Sequence, residues 1–312
     1  MMINRGSYLK ATAKPFLKWA GGKKQLIAEL DKRLPLELKN GRIKKYIEPF
    51  VGAGALLFHI HNNYQVDEYI ICDINKELFV CYQSIKSAPS LVINNLETIK
   101  EEYFGLDMEK RSEYFYYIRT QYNMEMLNFG YSEYNSEWAH RTAQTIFLNR
   151  TCFNGLFRVN SKGQFNVPFG KHSNPYIYDV DNILAVSNVL EHATILNGDF
   201  EITKPYIDED SFVYLDPPYR PLNTSSSFTS YNKDTFDDSG QQRLADFYSE
   251  MSKRNNAKLM LSNSDPKNTN IEDHFFENLF KGFGIDRVLA TRMINCQGQK
   301  RGSISELIVL NY

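Results

Sequence analysis

Residues 212–220, FVYLDPPYR, set a carboxylate between a hydrophobic run and two prolines, with an aromatic ring after them. Phe212, Val213, Tyr214 and Leu215 read as a buried strand of a parallel sheet. Asp216 then falls at the strand's carboxyl end, the edge of an open α/β sheet where ligands bind. Pro217 and Pro218 need by themselves be no more than a strand stop, because proline cannot donate to a ladder. Strand termination leaves unexplained the combination of an anionic acceptor, carbonyls without competing amide protons, and the ring of Tyr219. Those parts suit a flat group bearing an NH2. The carboxylate and a proline-region carbonyl each accept one amino hydrogen while the ring stacks on the plane.

A second stretch, YIEPFVGAGALLF, places Gly52 and Gly54 between strand-like and helix-like segments. Glycine permits a tight turn there and lets backbone approach a ligand closely. The turn alone would equally fit dinucleotide binding, but Leu57 stands where the third glycine of that fingerprint belongs, which argues against a nicotinamide enzyme. Asp73 ends the next strand about twenty residues on, where an acid grips a ribose hydroxyl pair. The plainer role for Asp73 is a helix N-cap, and the two roles are compatible.

The elements that position these residues alternate at first. KKYIEPF reads as a strand, AGALLFHIHN as a helix, EYIICD as a strand and INKELFVCYQSI as a helix, the order of a doubly wound α/β unit. From about Ser87 helical periodicity takes over, in LVINNLETIKEEYF, SEYFYYIRTQYNMEML and AHRTAQTIFLNR. Strands return at ATILNGDF, SFVYLDPPY, AKLMLSNS, DRVLATRMI and ISELIVLNY. The simplest account is a mainly helical domain inserted between two parts of one sheet: residues 1–86 and 191–312 form the sheet domain and 87–190 the insertion. Inside the insertion, LFRVNSKGQFNVPFG carries extended runs around Ser161, Lys162 and Gly163 and predicts a hairpin. PLNTSSSFTSYNKDTFDDSG, rich in small hydroxyl residues, predicts a mobile loop beside Asp216.

At 312 residues the chain can bury a sizeable core, and its formal net charge of −1 does not advertise a polyanion partner. The distribution of charge says more. Arg5, Lys10, Lys14, Lys18, Lys23 and Lys24 precede the first acid, Glu29. No Asp or Glu lies between Glu137 and Asp179, where Arg141, Arg150, Arg158, Lys162 and Lys171 fall. Most charge runs are solvated surface, but two acid-free basic stretches in a balanced chain are what a local phosphate-facing surface requires. Cys72, Cys81, Cys152 and Cys296 show no CxxC pairing and no HExxH occurs, so free thiols and no structural zinc are expected. No apolar run is long enough to span a bilayer, and a cytosolic location is expected.

PFLKWAGGKKQL, YIEPFVGAGALLF, CDIN, NGDF and DPPY, in that order, resemble the Dam-type (alpha-group) DNA adenine-N6 methyltransferases, including the GATC-specific adenine methylases of restriction-modification systems. The similarity runs from Pro15 to the carboxyl-terminal ISELIVLNY. It departs in small ways: Ala53 stands where a third consecutive glycine is common, and the amino terminus runs a few residues longer. The resemblance implies a Rossmann-like seven-stranded methyltransferase sheet with an inserted DNA-recognition domain carrying a β-hairpin. It also implies S-adenosylmethionine as methyl donor and double-stranded DNA containing GATC as partner, in a cytoplasmic, nucleoid-associated setting without metal or membrane. A cognate restriction endonuclease acting on the same site is the further partner such systems carry.

Residue by residue, the resemblance makes Asp216, Pro217, Pro218 and Tyr219 the catalytic tetrapeptide. Asp216 and the Pro217 carbonyl would accept hydrogen bonds from the target N6, and Tyr219 would stack on an adenine flipped from the duplex. Trp19, Ala20, Gly21 and Lys23 match cofactor-contacting positions, as do Glu48, Pro49 and Phe50, the turn of Gly52, Ala53 and Gly54, and Asp73 with Ile74. Asp199 and Phe200 would hold the cofactor's adenine, and Asp216 borders the cofactor as well. For DNA, Lys18 matches a position that reads the first guanine, and Asn154, Leu156, Arg158 and Pro168 match base-contacting positions, with Asn160, Lys162 and Lys171 on the same surface. Lys162 is the poorest match and suits a phosphate. From residue type alone Leu156 and Pro168 would be hairpin packing. An RNA or small-molecule methyltransferase would share sheet and cofactor, but a small-molecule enzyme has no need of the basic hairpin. A DNA-binding protein that had lost catalysis would show damage in the tetrapeptide or the cofactor turn, and both are intact.

Overall fold

The computed structural model describes residues 12–220, 236–291 and 303–312. Arg5, Lys10, Cys296 and residues 221–235, on which most of the mobile-loop expectation falls, lie outside the described residues. The strands are β1 (Lys45–Glu48), β2 (Glu68–Asp73), β3 (Ala193–Asn197), β4 (Ser211–Leu215), β5 (Lys258–Ser264), β6 (Gly284–Thr291) and β7 (Ser303–Leu310). The helices are α1 (Ile27–Lys32), α2 (Leu36–Lys39), α3 (Ala55–Asn63), α4 (Lys76–Ser87), α5 (Pro89–Phe104), α6 (Met108–Glu125), α7 (Ser136–Thr151), α8 (Val180–Glu191), α9 (Asp238–Arg254) and α10 (Phe275–Leu279).

The strands form one 7-stranded sheet in the order β3-β2-β1-β4-β5-β7-β6. β1 to β5 run parallel, and β7 lies antiparallel between β5 and β6. From β1 the chain winds outward through β2 and β3, then returns to place β4 on the other side of β1. That reversal leaves a crevice between the carboxyl ends of β1 and β4, the topological switch point where α/β sheets take their ligands. Glu48 ends β1, and Asp216 follows the last residue of β4.

Alternation along the central strands sorts the core into two faces. Tyr46, Phe212 and Tyr214 belong to one buried cluster; Ile47, Val213 and Leu215 belong to the other. The first cluster continues without a break through Val92 and Leu96 of α5, Phe115 of α6 and Phe147 of α7. The helical insertion therefore shares its core with one face of the sheet. Arg141 on α7, fully buried, completes the attachment. Its guanidinium donates to both carboxylate oxygens of Glu77 on α4, at 2.8 and 2.6 Å, and lies 3.9 Å from the centroid of the Tyr122 ring on α6.

The hairpin expected around residues 156–170 is not a regular ladder. Two isolated antiparallel bridges, Val159 to Phe165 and Cys152 to Phe169, are its only β pairing among the described residues. The sequence supplies the reason: Asn154 sits in the left-handed region at φ 57°, Pro168 has no N–H, and asparagine side chains replace strand partners. Asn160 Oδ1 accepts from the backbone of Lys162 and Gln164 and closes the tip. Asn123 of α6 bonds both the N–H and the C=O of Phe165, and so ties the loop to the insertion. Cys72, Cys81 and Cys152 are free and buried. Among the described residues no helix is long and apolar enough to cross a membrane.

Candidate active site

A cleft of about 710 Å³ opens at the carboxyl ends of β1, β2 and β4, within the size range of small-molecule sites. The whole tetrapeptide Asp216 to Tyr219 lines it. Asp216 is not free: Lys23 Nζ sits 2.7 Å from its Oδ1, and the Ser262 hydroxyl donates to the same oxygen at 3.1 Å. Lys23 is 6% exposed, and its Nζ also lies 4.4 Å from the centroid of the Tyr219 ring. A cation thus occupies the space between carboxylate and ring. Burial raises the Asp216 carboxyl above its ordinary value, against the opposing pull of Lys23 and Ser262. The Pro218 carbonyl accepts from Gln241 of α9, whose own Oε1 is held by Asn263 of β5. That bond occupies one lone pair of the Pro218 carbonyl and leaves it a second. The Tyr219 hydroxyl donates to Glu306 at 2.6 Å.

The glycine turn forms the neighbouring wall. Gly54 precedes α3 at φ 71°, a left-handed conformation that a side chain resists. A Cβ on Gly52 would lie 3.2 Å from Trp19 Cδ1, so the indole lies over the turn; it also forms a stacked pair with Phe157 at 5.1 Å. Asp73 Oδ2 accepts from Gly52 N at 3.0 Å and Oδ1 from Asn75 N at 2.9 Å, and burial raises its carboxyl. The N-cap role open to Asp73 belongs instead to Asn75, whose side chain accepts from Glu77 and Leu78 at the start of α4. Asp73 is left to brace the glycine turn and face the cleft beside Ile74, an isoleucine 62% exposed. Glu48, buried next to Asp216 and Asp73, is pushed well above the usual carboxylate range by burial, and Tyr46 donates to it.

Phe50, Phe200 and Phe236 converge at the far end of the cleft. Asp199 accepts from Glu201 N and pairs with Arg243 at 2.9 Å. Ala20, Gly21, Pro49 and Ala53 line the same space.

The residues matched to DNA contacts gather on the loop of residues 152–171 and beside it. Lys18, Asn154, Arg158, Lys162, Pro168 and Lys171 are exposed, and Leu156 is half-buried against the core. Arg158 Nε donates to Asn166 at 2.8 Å, and Arg158 also lines the cleft that holds Asp216. The amide of Asn160 is spent on the turn. Lys18 is brought to this surface by Asn149, which bonds its N–H and C=O and also the carbonyl of Gly155. Asn149 is fully buried on α7. The helix that carries it is rich in polar residues, so nothing in the sequence singles it out. Gln241, Asn263, Phe236 and Arg243 lie far along the chain from the motifs they serve, and nothing local marks them.

Residues 19–294 match the family described as D12 class N6 adenine-specific DNA methyltransferase. Among curated proteins the chain is 50% identical over 300 residues to Type II methyltransferase M.MjaIII of Methanocaldococcus jannaschii, covering 96% of this chain and 99% of that one. It is 35% identical over 310 residues to Type II methyltransferase M1.LlaDCHI of Lactococcus lactis subsp. cremoris, with 97% of each chain covered. It is 34% identical over 301 residues to the DNA adenine methylase of Haemophilus influenzae, covering 96% of this chain and 94% of that one.

Proposed function

This chain belongs to the D12 class N6 adenine-specific DNA methyltransferases, and within that class we propose that it methylates adenine in GATC, flipping the base into the pocket of Asp216, Pro217, Pro218 and Tyr219. The family implies S-adenosylmethionine as methyl donor, and the residues present fit that group. Asp73 is an acid at the cleft edge for ribose hydroxyls. Phe50, Phe200 and Ile74 offer apolar surface for an adenine ring. Asp199 is an acceptor for that ring's amino group, once it exchanges Arg243. Trp19, Ala20, Gly21 and Lys23 border the amino-acid end, with Glu48, Pro49 and the turn of Gly52, Ala53 and Gly54 beneath. When bound, the donor supplies an electrophilic methyl group on a sulfonium.

The protein's part is orientation and charge. Asp216, through the oxygen that does not hold Lys23 and Ser262, and the Pro217 carbonyl accept the two amino hydrogens of the flipped adenine, which turns the N6 lone pair out of conjugation and toward the methyl. N6 would become positive as it takes the methyl and the carbon–sulfur bond breaks to leave a neutral thioether, and Asp216 and the face of Tyr219 would stabilise that charge. The surplus N6 proton then leaves, with Asp216 as the nearest acceptor. In this reading residues 1–86 and 191–312 carry the chemistry, and 87–190 carry recognition. Arg158 forks onto a guanine edge, Leu156 and Pro168 meet a thymine methyl, Lys18 reads the first guanine, and Asn154 adds a polar contact. Lys162 and Lys171 meet phosphates. The names of two relatives, Type II methyltransferases, support a cognate restriction endonuclease acting on the same site.

The observation that carries the proposal is that Arg158 and Asp216 line one cleft, so that a base read beside the duplex and a base held for chemistry are within one surface. Methylation rates on GATC and its single-base variants, at two salt concentrations, test it. Arg158→Ala should lose about 1–3 kcal/mol of discrimination at one base pair, whereas Lys162→Ala should weaken all substrates evenly and flatten the salt dependence. Asp216→Ala should abolish single-turnover methylation while cofactor binding largely remains. Uniform slowing by Arg158→Ala would make that residue a backbone clamp, and near-normal turnover in Asp216→Ala would remove it from the chemistry.

A further inference from the structure

The phenol of Tyr219 has a partner that no motif supplies. Glu306, 87 residues further along the chain, accepts its hydroxyl hydrogen at 2.6 Å, a length typical of a charge-assisted bond. Glu306 lies on β7, opposite Ser264 of β5 and Val288 of β6. Because β7 runs antiparallel between them, its first residues emerge at the edge where the parallel strands end. The inserted strand thus delivers an acid to the tetrapeptide from the side opposite α3 and its glycine turn.

Two further contacts act on the backbone beside Tyr219 and on one face of its ring. Gln241 holds the carbonyl of Pro218, and Lys23 Nζ stands 4.4 Å from the ring centroid. Neither fixes rotation about the Cα–Cβ bond; the bond to Glu306, made at the end of the longest lever, does, and because the hydroxyl oxygen lies on the Cβ–Cγ axis it sets where the ring sits and not its turn about that axis. Burial, with Asp216 and Glu306 adding to it, pushes the phenol well above its ordinary value, so the phenol stays protonated and is the donor. A phenol donating to a carboxylate is also more electron-rich, and the face of such a ring attracts cations more strongly. Lys23 already occupies one face, and the base of the reading above stacks on the other.

We propose that Glu306 is a positioning residue for methyl transfer, holding the Tyr219 ring at the place where the flipped adenine stacks and enriching that ring against the positive charge developing on N6. The proposal rests on the reading of Tyr219 as the stacking partner. Its consequence is that the contribution of Glu306 passes through one hydroxyl group.

The test compares Glu306→Ala, Glu306→Gln, Tyr219→Phe, Tyr219→Ala and the double variant Tyr219→Phe/Glu306→Ala in the full chain. The readouts are single-turnover methylation, KM for duplex against kcat, fluorescence of 2-aminopurine at the target position, and calorimetric titration of S-adenosylmethionine. Glu306→Ala should slow the single turnover about tenfold, the scale of one charge-assisted bond used in the transition state, with KM and the cofactor dissociation constant unchanged. The 2-aminopurine should still flip but be less quenched by a ring that is no longer held in place. Glu306→Gln, which keeps an acceptor without the charge, should recover part of the rate. Glu306→Ala should have no further effect in the Tyr219→Phe background. Equal slowing by Glu306→Ala in both backgrounds, or weakened cofactor binding in both Glu306 variants, overturns the proposal. If Tyr219→Ala keeps a normal rate, the stacking reading itself fails; if Tyr219→Ala is slow and Glu306→Ala is normal, the role of Glu306 alone fails.

Discussion

Replacing Gly54 with alanine should damage the cofactor turn more than the same change at Gly21, although both residues have positive φ and it is Gly21 that lines the cleft. At Gly21, φ is 75° and a Cβ would meet nothing within 4 Å, so only the left-handed backbone penalty of about 1–2 kcal/mol applies. At Gly54, φ is 71° and the added Cβ would fall 2.9 Å from the Tyr82 hydroxyl and 3.1 Å from Phe58 Cε2. Tyr82 and Phe58 are buried on α4 and α3, and neither has open space to retreat into. The Tyr82 hydroxyl also donates to the Gly52 carbonyl at 3.0 Å, and moving it away leaves buried polar groups unpaired, worth about 1–3 kcal/mol more. Gly54→Ala should therefore cost about 2–5 kcal/mol and Gly21→Ala about 1–2 kcal/mol. Because the Gly52 amide is bonded to Asp73, the Gly54 variant should also bind S-adenosylmethionine more weakly, by about tenfold for each 1.4 kcal/mol of lost contact. Urea denaturation measures the first quantity and calorimetric titration the second. Equal losses at the two glycines would refute the argument that the Tyr82–Gly52 bond holds the turn.

Two other residues give sharp expectations. Arg141→Met should destabilise the protein by about 3–5 kcal/mol, since it strands the Glu77 carboxylate against α7, and adding Glu77→Gln should restore a measurable part; a denaturation cycle with purely additive changes would show that the pair is not coupled. Glu48 binds its proton more tightly in the folded state, so its stabilising contribution is complete below the ordinary carboxylate value and is lost as pH rises through the raised one. The melting temperature of the wild type should accordingly fall with rising pH relative to Glu48→Gln, and parallel curves for the two proteins would contradict a neutral buried Glu48.

Much of the site is legible in the amino-acid sequence because its parts are local. A short apolar run followed by Asp216, Pro217 and Pro218 reads as a parallel strand ending in an acid, and Gly52 and Gly54 ahead of an apolar helix mark a turn by their steric freedom. Asp73 is legible as a site acid but not in its hydrogen bonding, since the choice between Asp73 and Asn75 as the cap of α4 depends on how the chain leaves β2. The extended runs around Lys162 are equally plain, yet their failure to form a ladder depends on Asn123 and Asn160 bonding across the loop. Alternation and glycine stereochemistry act over a few residues, and for that reason they specify the elements and the acids at their ends. Three contacts escape them: Lys23 on Asp216, Asn149 carrying Lys18 to the recognition loop, and β7 running backwards to bring Glu306 to Tyr219. Each joins residues distant along the chain, where strand order and direction set proximity and no local pattern encodes it.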